Sequence, residues 1–338
     1  TGSAAADLSN NFIQRWNHHR KANPIYLLYP TLDFIEIPPN KADKDGTATV
    51  QALRSIGTWS GGLSLERSIY GAYMQAINNA EHYVYIENQF FVSGTAGFGV
   101  ENQVANLLVE KILAAIRNKR IFRVFVVFPH PELIGNDNLP VLKFTYDTIS
   151  RGGSSIIESI KNAFPEVNPE DYISFYQTRS HGNLNGVWHT NQIFIHSKLL
   201  IVDDKVSVIS SANLNDRSFL GDRDSEIGVA VWDDEEVEIK MNGQPFTANK
   251  FSHTLRKHLF NEHCGFDLSD PDTFLDPVSN KSYKDTFMKI AARNTEVYES
   301  VFPGIPQNSM TTFQEYLNWQ QAAPNTKNVD RLKEISGH

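Results

Sequence analysis

Apolar positions divide the chain into alternating strand-like and helix-like segments. Residues 83–86 (YVYI) are apolar, aromatic and β-branched, which predicts a strand. Over 101–117, Val104, Leu107, Leu108, Ile112 and Ala115 fall near one stripe of a 3.6-residue period, which predicts a helix. A largely apolar run at 122–128, closed by Pro129, reads as a buried strand. Strand, helix, strand in that order predicts a parallel crossover. A helix at 154–164 and a strand at 172–176 follow. Three short strands are expected at 193–196, 198–202 and 206–210, the first two open to being one, and a further strand at 227–232. After Asp233 the pattern turns helical, at 250–260, 283–301 and more weakly 311–320, while 40–45 and 303–308 read as loops. These segments predict an α/β fold, a mixed β-sheet flanked by helices with a helical C-terminal region.

Bulk properties narrow the picture. With 338 residues and 41% hydrophobic content the chain can bury a sizeable core, as one large domain or two smaller ones. A net charge of −8 argues against nucleic-acid binding of the basic kind, and leaves room for a local basic pocket. The single cysteine, Cys264, cannot form an internal disulfide, which fits a reducing compartment. No apolar run approaches the ~20 residues that span a bilayer. The start, from Thr1, lacks Met and any signal-peptide pattern, so the chain reads as a piece of something longer.

The chemistry concentrates in residues 195–226, IHSKLLIVDDKVSVISSANLNDRSFLGDRDSE. Period-2 geometry puts His196 and Lys198 on one face of a strand. An imidazole beside an ammonium suits a phosphoryl centre: the first attacks phosphorus or moves a proton, and the second neutralises its oxygens. Asp203, just past the strand, can fix the lysine or the loop. Ser211 and Asn213 offer donors to the same oxygens, and Glu226 can hold an imidazole in one tautomer. The bland alternative is a surface His–Lys pair. Of eleven histidines only His19 and His196 begin H-x-K, and His19 has Tyr26 where an aspartate should stand.

Other residues have simpler readings. Glu87, Asn88 and Gln89 suit a turn with satisfied side chains, and Trp16 and Trp59 suit core anchors. Arg54 suits a structural salt bridge more than an acidic headgroup. His181 and His189 fall in a glycine- and asparagine-rich loop and are expected to be solvated. His253 and His258, five apart, do not share a helix face as zinc ligands would. Cys264 reads as a packed thiol. No metal or cofactor is called for, because lysine and histidine supply charge and nucleophile.

The H-x-K-x4-D pattern followed by S-S-x-N resembles the HKD motif of the phospholipase D superfamily, which also holds nucleases, phospholipid synthases and a tyrosyl-DNA phosphodiesterase. Further blocks resemble the eukaryotic, phosphoinositide-dependent PX/PH branch: FIQRWN at 12–17, QALRSIGTWSGG at 51–62, YVYIENQFF at 83–91, RDSE at 223–226, DPVSNK at 276–281 and AARNTEVYESVF at 291–302. The resemblance covers nearly the whole chain. Three departures stand out: Ser210 in place of glycine, no apolar glycine-rich loop at 129–136, and one HKD motif where members carry two.

The resemblance implies one lobe of the phospholipase D fold. Residues 1–235 would be the C-terminal HKD lobe with an inter-lobe segment, and 236–338 a helical extension packed on it and incomplete at its end. It implies catalytic roles for His196, Lys198, Asp203 and Glu226, phosphate binding by Ser211, Asn213 and Lys198, and a site-adjacent place for Glu87, Asn88 and Gln89. The implied reaction is phosphatidylcholine plus water to phosphatidic acid plus choline through a phosphohistidine, with primary alcohols able to replace water. His196 would be the acid/base. An N-terminal HKD lobe absent from this chain would supply the nucleophile, which Glu226 would orient. Implied partners are phospholipid at a membrane surface, phosphoinositides and small GTPases, and no nucleic acid; the implied location is cytoplasmic and peripherally membrane-associated. Two alternatives are a phosphodiesterase or nuclease built as a dimer of single-motif lobes, and a catalytically silent membrane- or partner-binding module. The net charge and the IENQFF block speak against the first, and intact His196, Lys198 and Asp203 against the second.

Overall fold

The computed structural model describes residues 3–23, 25–29, 46–97, 99–129, 139–269, 273–303, 318, 321 and 326–337. Its elements are α1 (Ser3–Arg20), β1 (Ala48–Ile56), α2 (Thr58–Gly61), β2 (Glu66–Arg67), α3 (Ser68–Asn79), β3 (Tyr83–Asn88), α4 (Val104–Arg117), β4 (Arg123–Val127), α5 (Leu139–Ile149), α6 (Ile156–Ala163) and β5 (Ile173–Tyr176). Then come β6 (Arg179–Leu184), β7 (Val187–Gln192), β8 (Lys198–Val202), β9 (Val206–Ser210), α7 (Asp216–Phe219), β10 (Glu226–Asp233), β11 (Glu236–Met241), β12 (Gln244–Asn249) and α8 (Lys250–Cys264). A last rod begins as α9 (Asn280–Ser282), widens into a π-helical stretch (Tyr283–Met288) and ends as α10 (Lys289–Val301).

Eight strands form one mixed sheet in the order β2–β1–β10–β9–β8–β3–β4–β5. β3, β4 and β5 run parallel, as the strand–helix–strand order predicts, and every other pairing is antiparallel. Every residue of β3 and β4 is buried, because both faces of the sheet are covered. Val84, Ile86, Val124, Val126, Leu200 and Val208 pack with Ile69, Ile77, Leu108, Ile112 and Ile160 of α3, α4 and α6. On the other face, Tyr83, Tyr85, Phe125, Leu199 and Ile201 pack with Ile239, Phe260, Phe274, Tyr283 and Phe287. Residues 236–301 thus supply the second covering layer of the sheet.

That layer opens with the hairpin β11–β12 instead of a helix. Its turn, Asn242–Gly243, is left-handed at both residues (φ 52° and 79°), the geometry that two-residue hairpins favour. The hairpin β6–β7 has the same device at Asn185–Gly186. Sequence periodicity also leaves out α1, β1, α3 and α5. The expected strand at 193–196 is absent. Ile193 is tied back to the hairpin base, donating to the Thr178 carbonyl at 3.0 Å, so pairing with β3 begins only at Lys198. The expected helix at 311–320 and the segments 40–45, 129–136 and 303–308 fall wholly or largely outside the described residues.

Two arginines are buried inside this frame, each fully engaged. Arg123 lies over the Tyr283 ring, 4.5 Å from its centroid, and donates to Asn280 Oδ1 (2.8 Å) and the Val278 carbonyl, holding the DPVSNK block. Arg256 clamps Asp204 through Nη2 (2.5 Å) and Nε (3.1 Å) and donates to the Phe274 carbonyl. Asp204 also accepts from the Tyr83 hydroxyl (2.5 Å) and meets His253 Nδ1 at 3.2 Å. Burial opposes ionisation of Asp204, but the Arg256 charge and the bonds from His253 and Arg256 outweigh it and hold the carboxyl well below its ordinary range.

Two outcomes follow for stability. Arg256→Ala leaves a buried carboxylate uncompensated and is expected to cost about 3–5 kcal/mol in urea unfolding. Because the folded Asp204 carboxyl lies below the unfolded value of about 3.9, its contribution is fully present above that pH and is lost progressively as pH falls from there through the lower folded value. Acid titration of the unfolding free energy should therefore show a decline below about pH 4 that Asp204→Asn abolishes. An unchanged slope in that variant contradicts the assignment.

Candidate active site

The chemistry-bearing residues gather at one end of the sheet, where β1, β3 and β9 finish and β8 and β10 begin. In register there, Asn88 faces Lys198, Ser55 faces Glu226 and Ser210 faces Gly228. Gly228 is required by proximity: a Cβ on it would lie 2.5 Å from the Ser210 Cβ. Ser210, where the resemblance expects glycine, accepts the Ala212 N–H at 3.2 Å and so supports the turn itself.

Asn88 is fully buried and holds the turn that follows β9. Its Oδ1 accepts from Leu214 N (3.0 Å) and Phe90 N (3.2 Å), and its Nδ2 donates to the Ala212 carbonyl. Asn213, inside that turn, has a buried Oδ1 with no hydrogen-bond partner among the described residues. Lys198 is 6% exposed. Its ammonium donates to Gln89 Oε1 (3.0 Å) and the His196 carbonyl (2.5 Å). Burial lowers the Lys198 pKa, and the neighbouring Glu226 charge opposes that.

His196 is exposed and precedes β8, with its ring 6.1 Å from that of Phe194. The expectation that His196 and Lys198 share a strand face is corrected: the strand starts at Lys198, which folds back onto the His196 backbone. Glu226 accepts from Ser211 Oγ through Oε2 (2.5 Å) and from Ser218 Oγ through Oε1 (2.7 Å). Ser218 is missed by the motif reading; its one sequence signal is the Asn215-x-x-Ser218 spacing of a helix cap.

Glu87 lies on the opposite face of β3 from Asn88, with Tyr85. Burial raises its pKa, hydrogen bonding to Ser197 and to Tyr85 opposes this, and the Glu262 charge adds to it. It sits beneath the residue that separates His196 from Lys198.

Asp203 is not in this group. It lies at the far end of β8, five residues and roughly 16 Å from Lys198 at strand rise. Its carboxylate accepts from the backbone N–H groups of Glu81 (2.6 Å), His82 (3.0 Å) and Tyr83 (2.7 Å). The expectation of a catalytic role there is corrected to anchoring of the β3 entry, the loop-fixing reading.

Several simpler readings also change. Trp59 is 70% exposed, because α2 buries Ser60 and Gly61 and turns the indole outward. Trp16 is half-buried, against Phe12, Tyr26 and Tyr29 on the surface. His181 is half-buried and meets the Tyr298 hydroxyl at 3.1 Å, because its hairpin lies on α10. Arg54 pairs with Glu66 at 2.6 Å, as a structural bridge should. Burial raises the Cys264 thiol to about 12, as suits a packed thiol.

Comparison with known proteins gives the same direction. The phospholipase D family profile matches residues 1–313. Phospholipase D zeta 1 of Arabidopsis thaliana is 40% identical over 326 residues, covering 85% of this chain and 30% of that protein. Phospholipase D1 of Homo sapiens is 38% identical over 332 residues, covering 91% of this chain and 30% of that protein. The chain thus spans about 30% of the length of the curated relatives it matches. Among solved structures, Nuc of Salmonella typhimurium, a phospholipase D family member, is 16% identical with a TM-score of 0.32, covering 62% of this chain and 91% of that one.

The Asp203 geometry makes a specific prediction. Asp203→Ala leaves three N–H groups without their acceptor and should lower stability by on the order of 2–4 kcal/mol. Chemical denaturation measures it; a variant as stable as the unsubstituted chain would contradict the anchoring role.

Proposed function

This chain belongs to the phospholipase D family, and from that premise we propose that it supplies one of two half-sites of a phosphodiesterase that cleaves phosphatidylcholine. The observation that carries the reading is the collection of Lys198, Asn213, Ser211 and Glu226 at one sheet end beside an exposed His196. A buried ammonium held by neutral acceptors, a motif turn with an unpartnered amide oxygen and an exposed imidazole nearby support the reading of this sheet end as one wall of a phosphate pocket.

The proposed chemistry has two displacements. A histidine from the second lobe attacks phosphorus: the N–P bond forms, the P–O bond to choline breaks, and His196 gives its proton to the departing oxygen. His196 then takes a proton from water as the new O–P bond forms and the N–P bond breaks, releasing phosphatidic acid. A primary alcohol can take the place of water. Lys198 and the Asn213 amide hold the phosphoryl oxygens as charge builds. Glu226 orients the partner histidine. Gln89, by accepting from Lys198, aims the ammonium. No metal or cofactor enters this scheme.

The substrate would be met at a membrane surface, with the protein peripheral on the cytoplasmic side. Phosphoinositides and small GTPases would be its regulators. No helix among the described residues is long and apolar enough to cross a membrane. The net charge of −8 disfavours nucleic acid as the substrate.

In the full-length protein that carries this chain, His196→Ala should reduce choline release from phosphatidylcholine vesicles by about 10⁴-fold or more. A decrease of only a few-fold would remove His196 from the chemistry. The 338 residues alone are expected to release no measurable choline. Sustained turnover by that chain would show that one lobe suffices.

A further inference from the structure

Glu226 presents a carboxylate whose two oxygens are both engaged within its own lobe, by Ser211 on one side and Ser218 on the other. The Ser211 hydroxyl belongs to the motif turn, and its oxygen also accepts the Ile227 N–H at 3.0 Å. The Ser218 hydroxyl comes from α7, an element the motif does not include. We infer that Ser218 is a positioning residue for Glu226, holding the carboxylate plane in the orientation that the second imidazole meets. This rests on the proposed role of Glu226.

The short helix α7 is built to deliver that hydroxyl from a fixed place. Asn215 caps it, accepting from Ser218 N at 3.0 Å. Asp216 accepts from Glu101 N (2.7 Å), Asn102 N (2.9 Å) and Asn102 Nδ2 (2.7 Å), tying the helix to the chain ahead of α4. Phe219 is fully buried against Tyr70 and Tyr73, with ring centroids at 5.6 and 5.0 Å. Arg217 and Asp224 close the loop back to β10 at 2.5 Å. Ser218 itself is 1% exposed.

A single donor leaves a carboxylate free to rotate about its last torsion, whereas donors on both oxygens fix it. Hydroxyl donors do this without adding positive charge. The full charge of Glu226 remains for Lys198 and for an imidazolium, as preorganised stabilisation requires. An arginine in place of Ser218 would also fix the plane but would neutralise the group it holds.

The test uses the full-length protein, with Ser218→Ala, Ser218→Thr and Ser211→Ala, and phosphatidylcholine vesicles over a pH series. Ser218→Ala is expected to lower kcat about 10- to 100-fold, the range typical of groups that orient a site residue, with KM within twofold. The limb of kcat against pH set by the imidazole should move to lower pH by about one unit, because its counter-charge is displaced. Ser218→Thr keeps the hydroxyl and should restore both, and Ser211→Ala should move the same limb the same way. Thermal unfolding midpoints of each variant separate orientation from folding. A Ser218→Ala protein with unaltered kcat and pH profile overturns the inference. So does a loss of activity that Thr does not rescue and that only tracks a lowered midpoint. If the unsubstituted protein cleaves no phosphodiester, the proposed function itself fails, and the role of Ser218 falls with it.

Discussion

The antiparallel pairing of β3 with β8 is the constraint on which the site depends. It runs from Val84 opposite Val202 to Asn88 opposite Lys198. Side chains alternate with period two, so a slip of one residue would turn Lys198 toward the Tyr83–Tyr85 face and Leu199 toward the site. The apolar layers on both sides oppose that slip, since Val84, Ile86, Leu200 and Val202 are packed on one face and Tyr83, Tyr85, Leu199 and Ile201 on the other. The ladder is also fastened at both ends: Asp203 gathers three N–H groups at its base, and Asn88 binds the motif turn at its top.

Electrostatics separates Lys198, the cation of the proposed phosphate site, from the structural ones. Arg123 and Arg256 are buried with dedicated acceptors and aromatic or carboxylate neighbours, and they tie segments together. Lys198 has two neutral acceptors, a side-chain amide and a carbonyl, and feels the Glu226 charge without a hydrogen bond to it. Neutral acceptors orient an ammonium while leaving its charge uncancelled. A carboxylate in direct contact would compete with a phosphate for the same protons. On the other side of β3, burial raises the pKa of Glu87, and hydrogen bonding to Ser197 and Tyr85 opposes that shift.

The interior of the fold was legible where the chain is apolar. β3, β4 and β8 are short runs of mostly large residues, and such runs have few other places to go. The two hairpins are exposed on alternate positions and carry polar residues, so hydrophobic periodicity passed over them; their signal was the Asn-Gly pairs at 185–186 and 242–243. The spacing of His196, Lys198 and Asp203 gave the right segment and the wrong neighbourhood for Asp203. Distance along a strand is linear, and a residue five places on is at the other end of the sheet. Extending strand alternation back to His196 failed for a related reason, because the Thr178–Ile193 contact ends regularity just before it. The cap spacing hints at where Ser218 sits, but its pairing with Glu226 was illegible because that is set by how α7 packs, through Phe219 and Asp216.

The strand order carries a consequence for biosynthesis. β1 and β3 are made early, yet they are neighbours of β10 and β8 and not of each other. The slot between them is filled only by the late segment that forms β8, β9 and β10. Until that segment leaves the ribosome, two early strands have unpaired edges whose native partners, three strands in all, are not yet made. Unpaired edges of this kind invite pairing with other chains, and the arrival of the motif-bearing strands closes them.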